Sequence, residues 1–139
     1  MIKFSPFSAV LLSLFSQQLL AADLTIAVEN IQHDEGEIHI ALFTESDNFP
    51  EASDRSQGVI LPVNQGMVSA TFTDLDPGDY AIALFHDQND NQVLDTNFFG
   101  IPNEPYGFSR NSTSIGAPNF SEAKISLSTD NINLVIQLR

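Results

Sequence analysis

From Asp23 to the end of the sequence, apolar residues recur at every second position in short runs, with Gly, Pro, Asn and Asp between the runs. Alternate residues of a strand point to opposite faces of a sheet, so this pattern specifies many short strands, each with a buried face. No run has the length and spacing of an amphipathic helix. Residues 24–28 form the first expected strand, with Leu24, Ile26 and Val28 on one face. After a turn at Gly36, residues 37–43 form the second, with Ile38, Ile40 and Leu42 together. The runs 59–63 and 67–73 flank Asn64-Gln65-Gly66 and read as a hairpin whose Val68, Ala70 and Phe72 face inward. Pro77-Gly78 fits a type II turn in which the glycine takes the positive φ.

The strand that follows is apolar on both faces, with Tyr80, Ile82 and Leu84 on one and Ala81, Ala83 and Phe85 on the other. A strand with one solvated face alternates with polar residues, so its second face needs a cover. The expected cover is the long excursion 87–118, through Phe98, Phe99, Ile101, Tyr106 and Phe108. The polar segment 44–57 reads as a loop pinned to the body by Phe49. Two closing strands, 123–128 and 131–138, point Ala123, Ile125 and Leu127, then Ile132, Leu134, Ile136 and Leu138, inward. The expected fold is an all-β sandwich of about seven strands, an immunoglobulin-like count, with the aromatic excursion between late strands.

The chain has no cysteine, which excludes disulfides, thiolate metal sites and cysteine nucleophiles, so its core must hold by packing. Residues 1–22 read as a secretory signal peptide: Lys3 is the basic start, 7–15 the apolar run and Leu20-Ala21-Ala22 the small-residue end. That run is too short to span a bilayer, so no transmembrane anchor is expected in the mature form. Residues 23–139 are then one domain, exported to the periplasm or beyond. The formal net charge is −13, or −14 without Lys3, and it repels phosphate backbones and anionic membrane surfaces, which excludes nucleic acid as a partner.

The sharpest local motif is Asp87-Gln88-Asn89-Asp90-Asn91-Gln92-Val93-Leu94-Asp95. Side-chain oxygens of Asp87, Asn89 and Asn91, the carbonyl of Val93 and the carboxylate of Asp95 are what a loop needs to wrap a hard cation such as calcium. Gln92 stands where the sharp turn of an EF-hand takes Gly, and Phe98 where its bidentate Glu would stand, so the loop is not an EF-hand. Asp90, Asn97 and Glu104 are further possible ligands. The same residues also suit an Asx-turn loop that caps its own backbone without an ion. No other cofactor is expected.

A second segment, 100–111, fixes its backbone with Gly and Pro and carries Glu104, Tyr106, Phe108 and Arg110. These four make either a small recognition surface or an aromatic lid fastened by a Glu104–Arg110 pair. His86 reads as a strand-end histidine with an ordinary hydrogen bond, while His33 and His39 flank a turn without metal-ligand spacing. No nucleophile elbow or paired-carboxylate arrangement stands out, so no enzyme is expected. Asn111-Ser112-Thr113 and Asn119-Phe120-Ser121 have the form of glycosylation sequons, meaningful only in a eukaryotic secretory pathway.

Taken together, 76–82, His86 through Asn91, Leu94-Asp95-Thr96-Asn97, Gly100 through Ser109 and Pro118-Asn119-Phe120 resemble the bacterial domain-of-unknown-function 2141 family across the whole mature chain. Gln92 stands where relatives often have Gly, and Arg110 where many have Asn. The resemblance implies a secreted or periplasmic bacterial β-sandwich, transthyretin-like or immunoglobulin-like, and implies no activity. The expectation is therefore a non-enzymatic extracytoplasmic protein whose 87–95 loop binds calcium and orders 96–118. The alternative is a ligand-binding module for a glycan or a cell-envelope protein, using 100–111.

Overall fold

The computed structural model describes residues 20–64, 66–112 and 115–139 and is an all-β sandwich of eight strands in two sheets. The expected signal segment lies outside the described residues except for Leu20, Ala21 and Ala22, the last of which is buried and opens the first strand. Among the described residues no helix is long and apolar enough to cross a membrane.

The smaller sheet has the order β4-β1-β8, built from β1 (Ala22–Glu29), β4 (Val68–Leu75) and β8 (Ile132–Gln137). β1 pairs antiparallel with β4 and parallel with β8. The larger sheet has the order β3-β2-β5-β6, from β3 (Gln57–Pro62), β2 (Glu37–Thr44), β5 (Gly78–Asp87) and β6 (Tyr106–Phe108). β7 (Ile125–Leu127) shares the β6 edge of β5, pairing with its first residues. Between the sheets lie Leu24, Ile26 and Val28 from β1, facing Ile38, Ile40 and Leu42 from β2 and Ile82 and Leu84 from β5, all buried as the period-two pattern dictates.

Four expectations are corrected. The runs around Asn64 and Gly66 are not a hairpin, because β3 pairs with β2 and β4 with β1, and the connection crosses from one sheet to the other. Alternation fixes which face of a strand is buried but not its neighbour, and these two strands meet across the core instead of side by side. Gly78 does not take a left-handed conformation; it opens β5, and the positive φ, 56°, falls at Asp74, where the β1–β4 register shifts. Ala123 is buried, but it ends a helical turn, α1 (Phe120–Ala123), so β7 begins two residues later. Asn119 caps that turn: its side chain accepts the Glu122 N–H while the Glu122 carboxylate accepts the Asn119 N–H.

The fourth correction concerns the cover over β5. Phe98 and Phe99 are 98% and 82% exposed and Ile101 is exposed, so they form no lid. Tyr106 and Phe108 extend the sheet as β6, opposite Phe85 and Ala83. At the Phe43 and Phe108 end of the outer face the ring contacts come from Phe49 and Phe120, while Ala83 and Phe85 stay half-buried. Phe49 meets Phe43, Phe108 and Phe120 edge-on at centroid separations of 5.1, 5.9 and 6.2 Å. The loop 44–57 is thus pinned by Phe49 as its sequence suggests. Gly107 lets β6 press on the other sheet, since a Cβ there would collide with the Ile136 side chain and the Gln137 carbonyl.

Two polar ties involve residues of β5. The Tyr80 hydroxyl donates to the Asp76 carbonyl at 2.7 Å, and burial, assisted by the Asp76 charge, pushes the phenol above its usual range. Lys124 donates to the Asp79 carboxylate at 2.7 Å and Ser126 donates at 2.6 Å; these hydrogen bonds hold Asp79 below the usual carboxylate range and raise Lys124.

Candidate functional site

β5 runs two residues past its apolar stretch and ends in His86 and Asp87, both fully buried. Gly36, with φ of 81°, lets the β1–β2 connection pass directly against the Asp87 carbonyl, where a side chain would collide. The histidine points to the β2 side of the chain end, its Nε2 2.6 Å from the Glu35 carbonyl, as an ordinary strand-end hydrogen bond.

The Asp87 carboxylate organises the loop that follows. Its Oδ1 accepts the Asn91 N–H at 3.1 Å and its Oδ2 the Gln92 N–H at 2.6 Å. Asx turns continue the winding, with Asn89 Oδ1 accepting from Asn91 N–H at 3.2 Å and Asn91 Oδ1 from Val93 N–H at 3.0 Å. Asp90 and Gln92 take the positive φ values, 56° and 65°, that a loop this tight requires. The side chains of Asn89 and Asn91 then converge on Asp95, their amides donating to its carboxylate at 2.7 and 2.9 Å. The five residues expected to hold calcium, Asp87, Asn89, Asn91, Val93 and Asp95, therefore lie in one coil of backbone. Asn97 closes a separate turn, accepting from Phe99 and Ile101.

Glu104 fastens the loop from beneath. It is only 6% exposed, and its two oxygens accept Gln88 N–H at 2.9 Å and Asp95 N–H at 3.0 Å. It therefore pairs with backbone and not with Arg110, which is exposed and left-handed, with φ of 66°. Of the four residues of the expected ligand surface, the structure brings only Tyr106 and Phe108 together. They line a cleft of about 910 Å³ over the outer face of the larger sheet, with His39, Phe85, Arg55 and Leu94.

Sequence reasoning missed His39. It sits inside β2, the second strand expected over 37–43, but not without ligand-like partners as its sequence spacing suggests: it is stacked on Phe85 at 4.7 Å, with its Nε2 3.3 Å from Asp87 Oδ2 and 3.7 Å from Glu37 Oε2. The available signal was Glu37-x-His39 on one face of a strand whose antiparallel neighbour ends in Asp87.

Residues 26–134 match the family described as an uncharacterized protein conserved in bacteria, DUF2141. The chain belongs to the DUF2141 family. That match spans both sheets of the DUF2141 chain, from within β1 to within β8, and takes in the whole 87–105 loop and the cleft. No curated protein matches the chain, and no solved structure matches it.

Proposed function

We propose that this DUF2141 chain is an exported, non-enzymatic β-sandwich in which the 87–95 loop is a structural calcium site. The observation that carries the reading is convergence: Asn89, Asn91 and Asp95 meet at hydrogen-bond distance inside a coil already wound about the Asp87 carboxylate. On binding calcium the two amides would turn their oxygens from the Asn91 and Val93 N–H groups to the ion, joining Asp87, Asp95 and the Val93 carbonyl as oxygen ligands. With two carboxylates and two amides, affinity belongs to the extracellular range, roughly 10⁻⁴ to 10⁻³ M. The ion would stiffen the segment from Thr96 to Pro105, because Asp95 and Glu104 both hold its ends.

Thermal unfolding of the purified protein in EGTA, in calcium and in magnesium tests this. At tenfold over its dissociation constant, calcium stabilises the folded state by about 1.4 kcal/mol. The expected result is a rise in Tm that calcium produces and magnesium does not, and that Asp95→Ala abolishes. No shift up to about 10 mM calcium, roughly tenfold over the weakest affinity of this class, returns the loop to plain Asx-turn chemistry.

The cleft favours a second reading, a ligand- or glycan-binding module of the cell envelope, since Tyr106, Phe108 and Phe85 give an aromatic floor of the kind that apolar and sugar faces pack on. Glycan-array binding that Tyr106→Ala removes, with Tm nearly unchanged, would favour it.

A further inference from the structure

The antiparallel register sets Glu37 directly opposite Asp87, and His39 follows Glu37 on the same face of β2. Each of the three offers a ligand atom, and all three atoms lie within 4.8 Å of one another. His39 Nε2 is shielded from solvent and has no hydrogen-bond partner, although it faces a buried carboxylate at 3.3 Å. An orphaned nitrogen in such a place is costly unless something fills the gap. The stack on Phe85 fixes the imidazole plane, so the ring cannot turn away freely. Asp87 keeps capacity to spare, because each of its oxygens accepts one N–H and has a second acceptor direction.

The separations suit a metal. Ligand atoms about 2.0–2.2 Å from a tetrahedral zinc-class ion stand roughly 3.3–3.6 Å from one another. The His39–Asp87 distance of 3.3 Å is in that range and His39–Glu37, at 3.7 Å, is just beyond it. One imidazole with two carboxylates is a softer donor set than the all-oxygen cage calcium prefers. We propose that Glu37, His39 and Asp87 form a second cation site, for a divalent first-row transition metal of the zinc class, with water completing the coordination. It stands without the calcium reading. The two sites share Asp87 but no other side chain.

Cobalt(II) titration of the purified, tag-free protein, run without added calcium so that calcium cannot take the shared Asp87, tests this. The expected result is a visible d–d band that saturates at one equivalent and is bleached by zinc. His39→Gln should weaken cobalt binding by at least about 100-fold, given that even outer partners of a metal site cost roughly 10–100-fold. Asn89→Ala, in the loop, and His33→Gln should leave the band intact. Should His39→Gln fail to fold, Glu37→Gln at the more exposed end of the triad provides the test, with an expected loss of at least tenfold, the low end of that range. No band up to millimolar cobalt, or one that survives His39→Gln or Glu37→Gln unchanged, overturns the proposal.

Discussion

The stretch after β5 is held in two different ways. From Asp87 to Pro105 it is fastened by polar pegs: two buried carboxylates, Asp87 and Glu104, each accept two backbone N–H groups, and three large apolar side chains of this half, Phe98, Phe99 and Ile101, are exposed. From Tyr106 to Ala123 the reverse holds. Among the described residues there, Phe108 and Phe120 pack against Phe49, which itself meets Phe43, and neutral side chains supply polar ties: Ser109 donates to the Ala123 carbonyl at 2.5 Å and accepts the Ile82 N–H at 3.0 Å, and Asn111 donates to the Val135 carbonyl and accepts the Gln137 N–H. Aromatic content thus does not predict how a segment is held. A loop with few strand partners must satisfy its backbone locally, and carboxylates do that where rings cannot.

The sharpest way to break the contrast is to remove one element from each half. Phe108→Ala should cost about 3–5 kcal/mol, as large aromatic truncations in cores do, and lower the Tm of the whole domain in a single transition. Glu104→Gln keeps the shape but turns an amide N–H₂ toward an N–H, and should cost about 1–3 kcal/mol. Its signature is local: hydrogen exchange should quicken across 88–103 while β2 and β5 stay protected. Equal acceleration in both regions would show that the two halves are one cooperative unit.

A smaller effect comes from the Asp79–Lys124 tie beside α1. Asp79 is held below its ordinary range by its hydrogen bonds to Lys124 and Ser126, so its contribution is present at neutral pH and fades as pH falls through its lowered pKa. Lys124 is raised by the same partner, so its contribution fades as pH rises past the ordinary lysine range. An NMR titration should find the Asp79 carboxyl ionising below the ordinary aspartate range, and Lys124→Met should return it upward. Smallest of all, Phe98→Ser and Phe99→Ser should each change stability by no more than about 0.5 kcal/mol, since neither ring is covered. A loss of 2 kcal/mol or more, roughly the scale of burying a large side chain, would mean that these rings pack after all.

How much of this was legible follows the same division. The inner faces were readable because burial between two sheets imposes period two on Leu24-Thr25-Ile26-Ala27-Val28 and Glu37-Ile38-His39-Ile40-Ala41-Leu42. The DUF2141 family was readable from its long central block. Pairing was not, as the mistaken hairpin between β3 and β4 shows, because alternation carries no record of a neighbour. β6 was hidden because Tyr106-Gly107-Phe108 is too short for periodicity to register. The loop oxygens were visible in the alternation at 87, 89 and 91, whereas the role of Glu104 was not, since a carboxylate serving two backbone N–H groups at sequence separations of 16 and 9 leaves no local pattern. His39 was missed for the same reason, its partner Asp87 lying across a strand pair.

The place of β1 at the centre of the smaller sheet has a kinetic consequence. Its parallel partner is β8, with Leu24 beside Ile132 and Val28 beside Ile136, so that sheet cannot close until residues up to Gln137 are available. Contacts so distant along the chain carry a large loop-closure cost and slow folding. A nascent DUF2141 chain should therefore remain unfolded through most of its synthesis, which is the state a polypeptide needs if it is to be threaded through a narrow export channel.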